Sequence, residues 1–267
     1  MTRVNGHSSE LISVDDRGLQ YGDGLFETIA VKNGKLALWQ LHWNRLSEGC
    51  QKLSIPLPNE SLVLNEIEQL ITSAKSAVIK LILTRGQGGR GYAYSELSPN
   101  LVIKRSDWPN YNKNNKQGID LHICDTQVAI QPKLAGLKHL NRLENVLARN
   151  EWKDDKFADG LMYSTENEII EGTMSNVFFV KQKKLLTPDL SRCGVRGVMR
   201  QHILNIAEKI NIASDVRQLY KEDLLSADEM FVCNSLIGIW PVNSVGEKRF
   251  RAQRPVTQKL QIAIEDL

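Results

Sequence analysis

The dipeptide Asn33-Gly34 constrains the fold of the first part of the chain more than any other local feature. Both central residues of a type I′ turn need a positive φ, and asparagine and glycine adopt it at little cost. Residues 25–31 before the dipeptide are rich in β-branched side chains, and residues 35–39 return as an apolar stretch. The sequence therefore predicts a β-hairpin at this position.

Apolar periodicity predicts the remaining elements. Spacings of three and four residues predict helices from Gln40 to Leu53, after a capping Asn59, from Gly197 onward and near the C-terminus. Alternating or continuous apolar runs predict further strands, at 77–84, 101–104, 119–124, 160–163, 169–170, 177–180, 185–186, 216–219, 230–233 and 237–242. Hairpins outnumber regular βαβ units in this pattern, which is typical of an α+β or mixed α/β fold.

The 267 residues are enough for two cores of ordinary size. Residues 106–118 are polar and rich in asparagine and lysine, which is the composition of a linker. We therefore expect a smaller N-terminal domain at 1–106, a linker at 107–118 and a larger C-terminal domain at 119–267.

Composition excludes several classes of protein. The 34 basic and 31 acidic side chains nearly balance and form no dense basic stripe, so a nucleic-acid partner is not indicated. The first residues lack the apolar core of a signal peptide, and no apolar run reaches about 20 residues, so we expect a cytoplasmic protein without a membrane partner. The four cysteines are scattered without a C-x-x-C pair, which predicts buried free thiols rather than a zinc site or disulfides.

One segment, 132–144, combines glycine, apolar residues and Lys138 directly before a helical pattern. The pattern consists of apolar side chains at helical spacing that we expect to form one buried face, at Leu140, Leu143, Val146 and Leu147. A lysine in front of such a helix need not face solvent. The alternative is that Lys138 is an ordinary surface cation.

Four features together match the requirements of a pyridoxal phosphate (PLP) site: Lys138, Glu171, Arg45 and a glycine-opened helix start at Gly197. A lysine forms a Schiff base with the aldehyde, a carboxylate keeps the pyridine nitrogen protonated, and an arginine with a helix N-terminus binds phosphate. Each feature alone also has an ordinary structural explanation. The glycine-rich loop 85–92 lacks the G-x-x-x-x-G-K-[ST] pattern and is a weak nucleotide signal.

The order of the motifs resembles that of the fold-type IV PLP enzymes, which include D-amino acid and branched-chain aminotransferases and the aminodeoxychorismate lyases. The matching segments occur in the family's order, at 21–28, 42–46, 138, 171–178 and 197–200. Two further segments, 85–92 and 134–144, resemble the lyases rather than the transaminases.

This resemblance implies a two-domain α/β architecture, a homodimer and PLP in the interdomain cleft. It makes Lys138 the Schiff-base lysine and catalytic base, and Glu171 the partner of the pyridine nitrogen. It also implies a set of phosphate ligands, formed by Arg45, the amides of Val198 and Met199, Asn234 and Ser235. Candidate substrate-binding residues are Phe26, Thr28 and Arg90, and Arg90 is also a candidate for the site of the partner subunit.

The activity implied is the conversion of 4-amino-4-deoxychorismate to 4-aminobenzoate and pyruvate, a step of folate biosynthesis, with Lys138 taking the proton from the amine-bearing ring carbon. Desolvation and the cofactor's cationic ring are expected to lower the pKa of Lys138 toward neutrality. A PLP-dependent aminotransferase is the nearest alternative, and a small-molecule binding protein without turnover is a third. Leu143 stands where many transaminases of the family carry tyrosine, which leaves the hydrogen bond to the cofactor's O3′ open.

Overall fold

The computed structural model describes residues 1–72, 74–94, 98–153 and 155–264, so the last three residues of the predicted C-terminal domain lie outside the description. The chain forms two compact units. The first comprises Met1–Asn110 and Leu137–Asn141, and the second comprises Tyr111–Gly136 and Arg142–Leu267.

The first unit is built on an antiparallel sheet with strand order β2-β1-β6-β5-β3-β4 over its described residues. The strands are β1 (Thr2–Val4), β2 (His7–Ser8), β3 (Gly24–Lys32), β4 (Lys35–Leu36), β5 (Ser76–Thr84) and β6 (Asn100–Ser106). The helices are α1 (Arg17–Tyr21), α2 (Trp39–Leu53) and α3 (Glu60–Ile71).

The predicted hairpin is confirmed. Asn33 and Gly34 have φ values of 50° and 74°, as a type I′ turn requires, and β4 pairs with the end of β3. The returning strand is shorter than predicted because Leu38, at φ 54°, turns the chain into α2 at Trp39. Asn59 caps α3 as predicted, with its side chain accepting a hydrogen bond from the Leu62 amide.

Strand β3 presents two different faces. Leu25, Glu27 and Ile29 are buried, whereas Phe26 and Thr28 on the opposite face are half-buried. Helix α2 covers the buried face closely. A Cβ atom at Gly49 of α2 would lie 2.7 Å from a methyl group of Leu25, so a larger residue there would force the Leu25 side chain to shift.

The second unit contains a mixed sheet whose order over the described residues is β12-β11-β10-β13-β14-β7-β8-β9, with β15 paired to β14. The strands are β7 (Ile119–Ile123), β8 (Asp159–Tyr163), β9 (Ile169–Gly172), β10 (Asn176–Lys181), β11 (Lys184–Pro188), β12 (Ser214–Arg217), β13 (Glu229–Asn234), β14 (Gly238–Val245) and β15 (Lys248–Arg249). The helices are α4 (Leu143–Arg149), α5 (Val198–Lys209), α6 (Lys221–Ser226) and α7 (Pro255–Ala263), with a 3₁₀ turn at Lys113–Lys116.

Large apolar side chains form the core of the second unit, which includes Leu161, Val177, Phe179, Met230, Val232 and Trp240. The antiparallel pairs β8/β9 and β10/β11 agree with the predicted hairpins. The pairs β11/β12, β14/β7 and β7/β8 are parallel. The predicted mixed fold class is therefore confirmed.

The expected buried face around the helix after Lys138 is wrong. Helix α4 begins only at Leu143, and Leu143, Val146 and Leu147 are 76%, 53% and 61% exposed. Lys138 lies five residues before the helix, in a non-helical segment. The apolar spacing was real, but periodicity identifies a face without showing what covers it.

Short elements were missed from sequence, namely β1, β2, β15, α1 and α6. Helix α1 illustrates why. Asp16 caps it by accepting hydrogen bonds from Gly18 and Leu19, but its other oxygen also accepts from Thr84 and Asn100, far along the chain. The four cysteines are buried free thiols, as predicted. Among the described residues, none of the helices has the length and apolarity needed to cross a bilayer.

Candidate active site

Lys138 lies beside the start of β3. The Phe26 amide donates a hydrogen bond of 2.9 Å to the Lys138 carbonyl, and the Leu140 amide donates one of 3.0 Å to the Gly24 carbonyl. His139 forms an antiparallel bridge with Leu25. These backbone bonds group Leu137–Asn141 with the first unit, which differs from the sequence-based division that placed Lys138 in the C-terminal domain.

The side chain of Lys138 lies over an aromatic ring. Its Nζ atom is 4.3 Å from the centroid of the Phe26 ring, and the lysine is half-buried rather than fully exposed. The face of an aromatic ring attracts a cation at this distance. Thr28, the second candidate from β3, lies on the same face of the strand as Phe26. The structure therefore brings Lys138 and Phe26 into contact, as a shared site requires.

Arg45 is held by a buried carboxylate. Its Nε atom donates to Glu27 Oε1 at 2.8 Å, and Nη2 donates to Glu27 Oε2. His42, one helical turn before Arg45 on α2, contacts the same carboxylate through Nδ1 at 2.6 Å from Oε2. Glu27 is only 2% exposed. The two-pronged pairing with Glu27 fixes the orientation of the Arg45 guanidinium.

The charges in this cluster are defined by its burial and its pairing. Burial alone would raise the pKa of Glu27, but the charge of Arg45 and the hydrogen bonds from His42 and Arg45 outweigh it and lower the pKa to about 2. Burial lowers the pKa of His42 more than Glu27 raises it, and the charges of Arg45 and Lys138 lower it further. At neutral pH the cluster therefore contains an ionised Glu27, a cationic Arg45 and a neutral His42 that donates its Nδ1 proton.

Glu171 is a buried carboxylate in β9 of the second unit. Its Oε2 atom accepts a hydrogen bond of 2.8 Å from the Val195 amide. Burial lowers the pKa of Arg142, and the negative charges of Glu171 and Glu144 partly oppose that effect. Burial excludes the alternative that Glu171 is a surface acid beside a turn. A buried carboxylate of this kind suits a protonated ring nitrogen.

Helix α5 begins with a glycine at its N-cap. The Gln201 amide donates to the Gly197 carbonyl at 3.0 Å, and the amides of Val198 and Met199, at the start of the helix, have no carbonyl one turn earlier to which they could donate. Glycine has no side chain with which to cap them. This start can therefore offer two backbone donors and the positive end of the helix dipole to a phosphate group.

Asn234 makes three hydrogen bonds. Its Oδ1 atom accepts hydrogen bonds from the Leu236 and Ile237 amides, and its Nδ2 atom donates to the Met174 carbonyl. The side chain thus closes the turn after β13, in which Ser235 lies. A role of Asn234 as a phosphate ligand stays a prediction, as does that of Ser235.

Arg90 lies exposed in the glycine-rich loop after β5. Arg17 donates hydrogen bonds to the carbonyls of Gly91 and Tyr92 and pairs with Asp23. The backbone beside Arg90 is therefore anchored to α1, while the Arg90 side chain itself reaches solvent. This arrangement is compatible with binding of an anionic substrate, and the role of Arg90 stays a prediction.

Sequence reasoning missed Glu27, His42, Val195 and Asn176. A glutamate inside an otherwise apolar strand was the available signal for Glu27, because an acid is almost never buried without a partner. Val195 contributes its backbone amide, which donates to Glu171. Every residue except proline has such an amide, so the residue type gives no signal.

The chemistry of these groups fits PLP. The amine of Lys138 suits the aldehyde, the buried carboxylate of Glu171 suits the ring nitrogen, and the cation of Arg45 with the amides of Val198 and Met199 suits the phosphate. Lys138 and Arg45 belong to the first unit, whereas Glu171 and the start of α5 belong to the second.

Comparisons with known proteins agree with this set of groups. Residues 24–245 match the model of the amino-transferase class IV family. The chain is 39% identical to aminodeoxychorismate lyase of Vibrio harveyi, over 97% of both proteins, and 25% identical to D-alanine aminotransferase of Bacillus licheniformis, over 99% of this chain and 94% of that protein. The crystal structure of 4-amino-4-deoxychorismate lyase from Pseudomonas aeruginosa matches with a TM-score of 0.95 at 45% identity, covering 100% of this chain and 98% of that one. The chain belongs to the class IV aminotransferase family.

Proposed function

We propose that this protein is a PLP-dependent lyase that converts 4-amino-4-deoxychorismate to 4-aminobenzoate and pyruvate, the step that supplies 4-aminobenzoate for folate biosynthesis. The observation that carries the proposal is the near-complete match to two lyases of this specificity, at 39% and 45% identity. The aminotransferase match of similar coverage has only 25% identity. The buried Glu171 and the contact between Lys138 and Phe26 support the same conclusion.

Named residues hold the cofactor in this proposal. Lys138 would bind it covalently through Nζ, Glu171 would pair with the protonated ring nitrogen, and Arg45 with the amides of Val198 and Met199 would bind the phosphate. When bound, PLP draws electron density away from the ring carbon that carries the substrate amine. Glu27 contributes indirectly, because its two hydrogen bonds orient Arg45.

Lys138 then acts as the base. Once the substrate amine has displaced it from the cofactor, the free Nζ amine would take the proton from the amine-bearing ring carbon. The bond between the neighbouring ring carbon and the ether oxygen would then break. The electron pair of the C–H bond enters the ring, which becomes aromatic, and the enolpyruvyl group leaves and takes up a proton to become pyruvate. Aromatisation drives the reaction, so the protein needs mainly to orient the substrate and move one proton.

The candidate substrate residues have chemistry that suits this compound. The ring of Phe26 offers an apolar surface to the substrate ring, and Thr28 offers a hydroxyl group on the same face of β3. The exposed guanidinium of Arg90 suits a carboxylate, of which the substrate carries two. We also propose roles for Asn234 and Ser235 near the phosphate.

We further propose that the enzyme is a cytoplasmic homodimer. The exposed apolar side chains of Leu143, Val146 and Leu147 on α4 support an interface with a second copy. The four buried free thiols support a reducing compartment.

The deciding experiment measures pyruvate from purified enzyme and 4-amino-4-deoxychorismate, with and without an added 2-keto acid. A lyase releases pyruvate and 4-aminobenzoate in equal amounts without the keto acid. Strict dependence on the keto acid would instead establish the aminotransferase alternative. A protein without PLP absorbance and without pyruvate release would leave only the binding-protein alternative.

A further inference from the structure

The backbone of Val195, two residues before the N-cap of α5, is held at both its amide and its carbonyl group. Its amide donates to Glu171 Oε2 at 2.8 Å, and its carbonyl accepts from Asn176 Nδ2 at 2.8 Å. All three residues are buried. The backbone of this one residue therefore connects the carboxylate assigned to the ring nitrogen with a neutral amide side chain that sequence reasoning did not select.

Asn176 also contacts the backbone at the helix start. A Cβ atom added to Gly197 would lie 1.9 Å from Asn176 Oδ1, which is a severe steric clash for non-bonded carbon and oxygen atoms. The Asn176 side chain thus packs directly on the Cα atom of the N-cap residue. A displacement of Asn176 would therefore shift Gly197, and with it the amides of Val198 and Met199 that come next in the chain.

Glu171 in β9 and Asn176 at the start of β10 lie on either side of one short, closed loop. The Gly172 amide donates to the Ser175 carbonyl at 2.7 Å, which closes the loop. Buried Asp159 accepts hydrogen bonds from the Thr173 and Ser175 hydroxyl groups, each at 2.6 Å. These hydrogen bonds fix the loop. The residues at its two ends, Glu171 and Asn176, therefore hold the amide and the carbonyl of Val195 in fixed positions.

A second set of backbone hydrogen bonds fixes the segment around Val195. The Gly136 amide donates to the Gly194 carbonyl at 2.9 Å, and the Arg196 amide donates to the Gly136 carbonyl at 3.2 Å. The residues on both sides of Val195 are thus bonded to Gly136, two positions before Lys138. The backbone around Val195 has little freedom to move.

We propose that the backbone of Val195, with the peptide groups on both sides of its Cα atom, is a spacer that sets the separation between the Glu171 carboxylate and the amides of Val198 and Met199. In this proposal Asn176 is the positioning residue that holds the phosphate-binding end. The inference rests on the proposed function, because that proposal assigns Glu171 and the helix start to opposite ends of PLP. Its consequence is selective: loss of Asn176 disturbs recognition of the phosphate and leaves recognition of the pyridine ring largely intact.

The test compares two ligands, PLP and pyridoxal, which lacks the phosphate. The affinity of the apo protein for each is measured by absorbance titration for the wild type and for Asn176→Ala. We expect PLP affinity to fall about 10- to 100-fold, as for the loss of one buried hydrogen-bonded group, and pyridoxal affinity to change less than about threefold. Equal losses for both ligands would overturn the inference and leave Asn176 with a merely structural role.

A second variant approaches the same contact from the other side. Gly197→Ala places a methyl group against Asn176 Oδ1 and should also weaken PLP more than pyridoxal. The double variant Asn176→Ala with Gly197→Ala removes the clash, so its PLP affinity should equal that of Asn176→Ala alone. Independent, multiplying losses in the double variant would contradict the assigned contact. Gly197→Ala gives this readout even if Asn176→Ala does not fold.

Asn100→Ala serves as the matched control, because Asn100 is another buried asparagine, with its Nδ2 atom bonded to Asp16 in the first unit. Any effect of this variant on the two ligands should be equal. Hydrogen exchange of the Val195 and Val198 amides in the apo protein should accelerate in Asn176→Ala and not in Asn100→Ala. If the wild type releases pyruvate but the variants show no selective loss of PLP affinity, the proposed function stands and the spacer role is wrong. If the wild type binds no PLP, the proposed function itself is wrong.

Discussion

The two groups of residues that we assign to the cofactor are built in different ways. Around Arg45 in the first unit, charged side chains pair with one another: the ionised Glu27 receives two hydrogen bonds from the guanidinium and one from neutral His42. Around Val195 in the second unit, backbone groups make the contacts: the Val195 amide donates to Glu171, and the Val195 carbonyl accepts from Asn176.

This difference teaches which perturbations each group will feel. An ion pair inside the first unit depends on protonation, so acid affects it directly. The start of α5 and the Val195 backbone depend on the position of the main chain, so steric changes affect them more than changes in pH do. The four variants below test that contrast, from the largest expected effect to the smallest.

Lys138→Ala should abolish turnover, because in the proposed mechanism Lys138 is both the covalent anchor of the cofactor and the base. We expect pyruvate release to fall at least about 10⁴-fold, measured by a coupled pyruvate assay. The exposed Lys133→Ala, from the same segment, is the matched control and should retain wild-type activity. Activity of Lys138→Ala near that of the control would disprove the central role of this residue.

Glu171→Gln should slow pyruvate release by about 10²-fold, as is usual when one preorganised electrostatic group is removed from an active site. The glutamine oxygen can still accept the hydrogen bond from Val195, so the melting temperature should change little. Exposed Glu166→Gln, from the turn before β9, is the control. Unchanged turnover in Glu171→Gln would remove its role at the ring nitrogen.

Glu27→Gln should destabilise the protein at neutral pH, and the loss should shrink in acid. The pKa of Glu27 falls from 4.5 to about 2 in the folded protein, so its ionisation stabilises the fold above pH 4.5 by about 3 kcal/mol, and this is lost as the pH falls toward 2. The lowered pKa of His42 has the same sign, with stability lost as the pH falls below 6.5.

Urea unfolding at several pH values between 7 and 3 measures this effect. Exposed Glu48→Gln on α2 is the control and should follow the wild type throughout. A constant difference between Glu27→Gln and the wild type across this range would mean that Glu27 is not held ionised by Arg45 and His42.

Phe26→Leu should have the smallest effect. Loss of the ring under Lys138 removes a cation–π contact, which lowers kcat/KM by about 2- to 10-fold with little change in stability. Phe157→Leu is the matched control, because Lys156 lies over that ring at 4.9 Å, and it should not affect turnover. Equal effects of the two variants would show that the contact at Lys138 has no special function.

Part of the candidate site was accessible from sequence. Lys138, Glu171, Arg45 and the start of α5 were selected by chemical type, spacing and resemblance, and the structure shows Glu171 buried and Arg45 fixed. The partners that fix them were not accessible. Glu27 and Arg45 are 18 residues apart, and Glu171 and Val195 are 24 apart, so no local pattern links them.

The sequence by itself determined the local events: the turn at Asn33-Gly34, the cap at Asn59 and the strands that follow from alternating side chains. Each depends on residues within a few positions, where steric limits on φ and short hydrogen bonds decide the outcome. Only the tertiary structure decided that Lys138 joins the first unit and that the apolar face of α4 is exposed. Burial and pairing depend on which distant residues come to lie beside a group, and the segment around Lys138 shows this most clearly.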